Sequence, residues 1–319
     1  MYIKFQIKEP GNLFHVLDSL SQWDIIHTRK SLAKYYKERF SLNKKDKKLI
    51  KLYIKIRRKY YWGKLDSDFY LSENFNELEK RLKRRLNEKE FKEIKVILDN
   101  FHTKICFIFQ EWKPLLEKRK DNLNETIKRY PIKNIFQDIA NFYNIKNIPR
   151  KVTVHLLLNP SEKTSGGGAN IWPKEHITLE PKDLKHGNKN LAKEDISIII
   201  HEILHLIENN MSKKNKRFLN RIFNKERINR YIFREAIADA LVPDGHIALK
   251  YGLIKHSSIL KLKDIKLPRK NNKKEYLRKA RNKLSALFYP IVIKQIESKK
   301  TIFKKEFLKR YIETYKELF

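Results

Sequence analysis

The residues of this chain whose types and spacing fit metal chemistry best are in the pattern HEILH, residues 201 to 205. His201 and His205 are four residues apart, so in a helix they lie on one face, about 6 Å apart along the axis. Such a pair can bind one Zn²⁺ ion through two imidazole nitrogens. Glu202 points beside such an ion, where it can take a proton from a bound water. The pattern therefore predicts a catalytic zinc centre.

The segment that carries HEILH predicts a buried helix. The run DISIIIHEILHLIEN (195 to 209) is apolar nearly all round, and Asp195 is placed to cap its N-terminus. Burying two imidazoles and a carboxylate is costly unless a partner satisfies them. A metal ion is one such partner, and hydrogen bonds from two core histidines to backbone or carboxylate groups are the alternative.

A catalytic zinc site needs a third protein ligand. Glu208 lies on the histidine face, but it is about 10.5 Å along the axis from His201 and reaches a shared ion only with difficulty. The sequence NNM at 209 to 211 excludes the longer HExxHxxGxxH pattern. Glu235, thirty residues after His205 in REAIADALVP, is the better candidate, with Asp239 one turn further on the same face. An exposed helix face is the alternative interpretation of this second pair.

HEILH followed by a helix with Glu-x-x-x-Asp resembles the gluzincin metallopeptidases, the thermolysin-like and aminopeptidase-like zinc enzymes. The resemblance implies that His201, His205 and Glu235 bind one zinc ion per chain. It implies that Glu202 is the base or proton shuttle. It further implies that Asp239 bonds to the first zinc histidine, which would fix its tautomer.

Three of the eight glycines of the chain stand together in the segment GGGAN, which ends at Asn170. Glycines permit close backbone approach, and a glycine hairpin turn is the alternative. The segment is similar to the Gly-x-Met-Glu-Asn strand of the aminopeptidase branch, which pairs with the substrate backbone. The resemblance implies substrate binding by Gly167, Gly168, Ala169 and Asn170. Ala169 stands where that branch has the Glu that holds the substrate amino group, which predicts internal cleavage.

The resemblance covers about residues 150 to 245 and leaves one role unassigned. The family has a Tyr or His beyond the ligand Glu that donates to the transition state. Tyr289 in ALFYP and His246 in PDGHI are the candidates for this catalytic role.

Periodicity predicts the elements that must position these residues. Residues 2 to 7 alternate like a strand, and helices follow to Tyr143 with breaks at 63 to 68 and at Pro131. The run 151 to 159 is a strand, ANIWPKEHITLE is a second extended segment, and Pro173 within it indicates an edge strand. A helix follows at about 227 to 241, and the remainder is helical and basic, with a break at Pro268.

These elements predict an α+β fold, mostly helical, with a small mixed sheet whose edge strand packs on a buried HExxH helix. Helical regions flank this core on both sides. The predicted domains are a helical region at 1–147, a metallopeptidase core at 148–254 and a basic helical region at 255–319.

The balance of 72 Lys+Arg against 37 Asp+Glu gives a formal charge of +35. Such a charge suggests nucleic acid or an anionic membrane surface, although Lys, Asn and Ile are abundant along the whole chain, as in sequences with a compositional bias. In KKDKKLIKLYIKIRRKYYW, the residues Leu49, Leu52, Tyr53 and Ile56 form one apolar stripe, and we expect the lysines to face water. A nucleic-acid or membrane face is the alternative, with Tyr60, Tyr61 and Trp62 stacking on bases.

Cys106 is the only cysteine, so an intrachain disulfide is excluded, and its apolar surroundings KICFIF predict that it packs. The N-terminus has no apolar signal region, and no stretch approaches the 18 apolar residues of a membrane span. We therefore expect a cytoplasmic protein.

Together the residues predict a zinc metallopeptidase that acts on a peptide or protein substrate as an endopeptidase. A regulatory peptidase specific for one partner protein is a second version of this hypothesis. A basic nucleic-acid-binding protein with a structural metal site is the alternative from another class, although no nucleic-acid motif supports it.

Overall fold

A computed structural model describes residues 2–24, 30–61, 63–146, 148–170, 175–186, 191–268 and 273–319. The fold is mostly helical with one small mixed sheet, which confirms the predicted α+β class. Trp62, Trp172 and Pro173, which the sequence interpretation uses, lie outside the described residues.

The described helices follow the predicted pattern with shifted boundaries. The break predicted at 63 to 68 is shorter, because a helix already begins at Leu65, whereas the breaks at Pro131 and Pro268 are confirmed. A 3-10 helix covers Ile259–Asp264. The α-helices are α1 Glu9–Ser21, α2 Lys30–Arg39, α3 Lys44–Lys59, α4 Leu65–Leu71, α5 Phe75–Arg85, α6 Glu88–Ile127, α7 Ile132–Phe142, α8 Leu191–Asn209, α9 Lys213–Glu226, α10 Arg230–Leu241, α11 His246–Lys250, α12 Lys273–Glu297 and α13 Lys305–Leu318.

The sheet has the strand order β1-β2-β4-β3, with β1 Tyr2–Gln6, β2 Lys151–Leu156, β3 Gly166–Asn170 and β4 His176–Glu180. β2 pairs parallel with β4, and β3 pairs antiparallel with β4. The single extended segment predicted after the glycines is therefore two strands, and the glycines lie in β3 itself. A Cβ atom on Gly168 would lie 3.1 Å from Thr178 Oγ1 of β4, so this glycine allows a tight approach between the strands.

The chain forms two compact units, each built from separate segments. The sheet unit consists of Ile3–Glu125 and Val152–Asp195. The HEILH unit consists of Met1–Tyr2, Thr126–Lys151 and Ile196–Phe319. Both units take residues from more than one of the three regions predicted from the sequence.

In the sheet unit, the predicted apolar stripe of α3 is confirmed for Leu49, Tyr53 and Ile56, which are buried. The expectation that the lysines of this helix face water is confirmed, whereas its Arg57 is completely buried. Its Nε donates to Asp18 Oδ1 at 3.1 Å, and Tyr53 donates to the same oxygen at 2.6 Å. A buried guanidinium is tolerated because it is paired with a carboxylate.

In the HEILH unit, α8 is apolar nearly all round, and the residues Ile196, Ile199, Ile200, Ile203, Leu204, Leu206 and Ile207 are fully buried. The helix begins at Leu191 in the sheet unit, so the prediction that Asp195 caps its N-terminus is wrong. The helix predicted from 227 begins at Arg230, because the side chain of Asn229 accepts hydrogen bonds from the amides of Tyr231 and Ile232.

None of the helices in the described part of the chain combines the length and apolar character needed to cross a bilayer. The predicted absence of a membrane-spanning helix is therefore confirmed for these residues.

Candidate metal centre

Helix α8 presents His201 and His205 from one face of a buried segment. Buried apolar side chains surround them on the helix, and the two histidine side chains are 12% and 9% exposed. Their Nε2 atoms lie 3.2 Å apart. The i, i+4 spacing therefore brings the two imidazoles together as the sequence predicted.

Helix α10 adds the carboxylate of Glu235 to this pair. Glu235 Oε1 lies 3.3 Å from His205 Nε2, and Oε2 lies 3.7 Å from His201 Nε2. One ligand atom from each of these three side chains lies within 4.8 Å of the other two. We call His201, His205 and Glu235 the HEILH cluster.

The orientation of His201 is set from its other ring nitrogen. Nδ1 donates to the carbonyl oxygen of Val242 at 2.9 Å, since a carbonyl can only accept. Asp239 Oδ1, the partner that the resemblance implied, is further away at 3.9 Å from the same nitrogen. Val242 follows directly after α10, so the helix that supplies Glu235 also leads to the group that fixes His201.

His205 is flanked on its Nδ1 side by Glu208. Oε2 of Glu208 lies 3.8 Å from His205 Nδ1 and accepts a hydrogen bond from Arg234 Nε at 2.6 Å. This carboxylate is therefore beside the ring nitrogen that faces away from the HEILH cluster. The sequence argument that Glu208 is poorly placed as a ligand agrees with this position.

The electrostatics of the HEILH cluster favour added positive charge. Burial would lower the pKa of His205, but the carboxylates of Glu208 and Glu235 raise it to about 10. Burial likewise opposes the charged form of His201, yet its contact with Glu235 raises its pKa. The pKa of Glu235 is held well below its usual range, because the two imidazoles outweigh burial.

The donor atoms of the HEILH cluster fit a zinc ion. Because Nδ1 of neutral His201 carries the proton, its Nε2 presents a lone pair toward the carboxylate of Glu235. Such a group of acceptors requires protons or a cation between its members. Two imidazoles and one carboxylate are a ligand set of catalytic zinc sites, in which a fourth position stays open.

Glu202 lies on α8 next to His201 and is partly exposed. The surroundings desolvate its carboxyl group and raise its pKa, although the two histidines act in the opposite direction. A carboxyl group with a raised pKa is a stronger base than an ordinary glutamate, which suits proton transfer.

Sequence reasoning missed Arg281 of α12. Its Nε lies 3.4 Å from Asp239 Oδ2, and its Nη1 lies 3.7 Å from Glu235 Oε2. It therefore holds both acidic residues of α10 from one side. No short motif links it to them, because it is 46 residues beyond Glu235. Arg234, by contrast, is adjacent to Glu235 in REAIAD. A positive charge next to a candidate ligand could have been recognised from the sequence as part of the site.

The two candidates for transition-state donor are placed differently. Tyr289 is a buried residue of α12, two helical turns beyond Arg281, which is about 12 Å along the axis. His246 begins α11, and its charged neighbours are Glu297, Lys250 and Asp138, none of which belongs to the HEILH cluster. Among the described residues, no hydrogen bond, ion pair or ring contact joins Tyr289 or His246 to this cluster.

Comparison of the chain with models of known protein families, with curated proteins and with solved structures gives no significant match. Any assignment of function therefore depends on the residues and geometry of the chain itself.

The four candidate substrate-binding residues belong to the sheet unit. Gly167, Gly168 and Ala169 pair with β4 opposite Leu179, Thr178 and Ile177. Asn170 donates to Asp66 Oδ2 at 3.2 Å, so its side chain is engaged within the unit. β3 is the last strand of the sheet, and its other edge is unpaired among the described strands.

Proposed function

We propose that this chain is a zinc-dependent metallopeptidase in which His201, His205 and Glu235 hold one Zn²⁺ ion. The single observation that carries the proposal is the convergence of His201 Nε2, His205 Nε2 and the Glu235 carboxylate within 4.8 Å. These side chains come from two helices, and Glu235 follows His205 by thirty residues in the sequence. Glu202, on the same turn of α8 as His201, completes the set of residues needed for hydrolysis.

A zinc ion bound there supplies Lewis acidity, which polarises a peptide carbonyl and makes a water molecule more acidic. Glu202 takes one proton from that water as the new carbon–oxygen bond forms. The same carboxyl group then passes the proton to the leaving nitrogen as the carbon–nitrogen bond breaks. The raised pKa of Glu202 suits both transfers, because the group must accept and release a proton in turn.

The neighbouring groups hold the ligands in place. The Val242 carbonyl fixes the tautomer of His201 and keeps its Nε2 free to bind a metal. Arg281 lies beside Glu235 Oε2 and leaves Oε1 facing His205. These residues therefore orient ligand atoms without taking part in the reaction themselves.

For the substrate we propose an internal segment of an extended polypeptide. β3 offers backbone hydrogen-bonding groups on an edge that no described strand uses, and such an edge can add a further strand. The methyl group of Ala169 cannot hold a substrate ammonium group. Recognition through backbone groups alone does not require a free chain end.

The experiment compares a peptide with a free amino terminus and its N-acetylated twin, incubated with zinc-loaded wild type and with Glu202→Gln. Products are mapped by mass spectrometry in ¹⁸O-labelled water. We expect internal cuts in both peptides and ¹⁸O in each new carboxylate. We expect Glu202→Gln to keep its zinc but lose turnover by roughly three orders of magnitude or more.

Equal turnover by wild type and Glu202→Gln would contradict the proposed role of Glu202. Stepwise loss of N-terminal residues from the free-amine peptide alone would contradict internal cleavage. Cleavage of unrelated peptides would exclude the version in which the enzyme is specific for one partner protein.

A further inference from the structure

A second group of metal-ligating side chains lies in the sheet unit, outside the proposed active site. Glu9 begins α1, and His102 and Cys106 are one turn apart on α6. His102 Nε2 lies 3.0 Å from Glu9 Oε1, and one ligand atom from each of the three residues lies within 4.8 Å of the other two. We call these three residues the Cys106 cluster.

The apolar run around Cys106 does not enclose its side chain completely. Cys106 is only half-buried, and it lies on the face of α6 that also presents His102. Its apolar neighbours Phe101 and Ile105 point elsewhere and are completely buried. The apolar run KICFIF therefore anchors α6 through other residues and leaves the thiol beside a histidine and a glutamate.

The helices that carry the Cys106 cluster are fixed independently of it. Phe101 and Ile105 anchor α6, and α1 is buried from Pro10 to Ser21. The ring of Phe75 packs edge-on against the imidazole of His102, with 4.2 Å between the ring centroids. The three ligand groups therefore come from a scaffold that restricts their movement, which lowers the entropic cost of binding.

We infer that Glu9, His102 and Cys106 form a second metal site, for a borderline divalent ion such as Zn²⁺. Thiolate, imidazole and carboxylate are all zinc ligands, and in a tetrahedral site their donor atoms are about 3.3 to 3.8 Å apart. His102 Nε2 and Glu9 Oε1 are 3.0 Å apart, and one donor atom of each of the three side chains lies within 4.8 Å of the other two, so small side-chain rotations would close the site. Magnesium and calcium prefer oxygen ligands and are poorly matched to a sulfur and a nitrogen.

The side chains of His102 and Glu9 are 41% and 26% exposed, so an ion can reach the Cys106 cluster from solvent and keep one position open. Burial and Glu9 raise the pKa of the Cys106 thiol, so metal binding displaces its proton. The bound ion joins residues that are more than 90 positions apart in the sequence, and it stabilises the folded sheet unit by mass action.

The experiment is a Co²⁺ titration of the full-length chain followed by absorption spectroscopy. Because the chain has one cysteine, a thiolate-to-cobalt charge-transfer band reports the Cys106 cluster alone. We expect the band to saturate at about one equivalent per chain. It should vanish in Cys106→Ser, and Co²⁺ affinity at this band should fall about tenfold or more in His102→Ala and in Glu9→Gln.

Two further variants separate this inference from the proposed function. His201→Ala/His205→Ala should leave the band unchanged, because those residues belong to the other cluster. His256→Ala, at an exposed position, is the matched control for loss of a histidine. Far-ultraviolet circular dichroism establishes that each variant is folded. Absence of the band in folded wild type, or an unchanged affinity in His102→Ala, would overturn the inference.

Discussion

His201 Nδ1 donates a hydrogen bond of 2.9 Å to the carbonyl oxygen of Val242. This contact assigns the ring proton to Nδ1 and leaves Nε2 as a lone-pair donor that faces Glu235. The carbonyl is held by the turn that follows α10, and this turn leads to Gly245. The ligand geometry of the first histidine therefore depends on a backbone turn about forty residues away in the sequence.

Gly245→Ala should damage this turn. A Cβ atom there would lie 2.1 Å from the Ala240 carbonyl oxygen and 2.3 Å from its carbon, and a backbone contact cannot move as a flexible side chain can. We expect a loss of about 3 kcal/mol or more in the free energy of unfolding, with weaker zinc binding. Gly252→Ala is the control, because it meets no atom within 4 Å and costs about 1 to 2 kcal/mol through its positive φ alone. Equal losses in the free energy of unfolding for Gly245→Ala and Gly252→Ala, measured by urea denaturation, would contradict this explanation.

Arg234→Met should destabilise the HEILH unit by about 3 kcal/mol, because it removes the hydrogen-bonded cation of the buried Glu208 carboxylate and leaves only His205 Nδ1, 3.8 Å away. The double variant Arg234→Met/Glu208→Gln should recover much of this loss, since it also removes the buried carboxylate charge. Denaturant unfolding of the two single variants and the double variant measures the coupling. Arg217→Met, at an exposed position of α9, should stay within about 0.5 kcal/mol of wild type. Additive losses in the double variant would contradict the pairing.

Asp195 should make stability depend on pH. Burial raises its pKa to about 7, although Arg119 and Ser165 act in the opposite direction. A carboxyl group whose pKa is higher in the folded state contributes its full stabilisation at pH values below its unfolded-state pKa, near 3.8. This contribution is lost as the pH rises through the folded-state pKa of about 7.

Between about pH 4 and pH 7.5, Asp195→Asn should therefore gain stability relative to wild type, by up to about 4 kcal/mol. Unfolding free energies measured across this range test the prediction. Glu194→Gln removes an exposed neighbouring carboxylate and should show no comparable trend. A difference between Asp195→Asn and wild type that does not change with pH would be the contrary result.

The charge of +35 should produce only weak, salt-sensitive binding to nucleic acid. Tyr61 is exposed, but the hydroxyl of Tyr60 donates to Glu90 at 2.7 Å. One of the aromatic residues suggested to stack on bases is therefore already bonded within the protein. At roughly physiological salt we expect no duplex binding tighter than about micromolar, because counterion release weakens phosphate contacts as salt rises. A gel-shift series that shows nanomolar binding with a sequence or strand preference would favour the nucleic-acid hypothesis instead.

The histidine pair of the HEILH cluster could be predicted because both residues lie within one short stretch of sequence. The apolar period of α8 indicates a buried helix, and the spacing of His201 and His205 places both rings on one face. Glu235 was chosen for its place on the next strongly helical segment, and the resemblance supported that choice, since the spacing alone does not distinguish it from other glutamates. The mostly helical fold follows in the same way from periodic apolar positions.

The remaining features depend on contacts between distant parts of the chain. Arg281 reaches Asp239 from another helix, and the Val242 carbonyl has no side chain to signal its role. Cys106 lies close to Glu9, although the two residues are 97 positions apart in the sequence. The glycines of β3 carry no apolar pattern, so a strand and a turn could not be told apart.

The central claim is that His201, His205 and Glu235 bind one zinc ion, and zinc content measures it most directly. Protein in the Cys106→Ser background, which removes the thiol of the Cys106 cluster, is stripped with chelator, reconstituted with Zn²⁺ and analysed by mass spectrometry of the metal. We predict about one equivalent per chain, with most of it lost in His201→Ala and in Glu235→Gln. Zinc content near zero in the Cys106→Ser protein, or full retention in His201→Ala, would contradict the account.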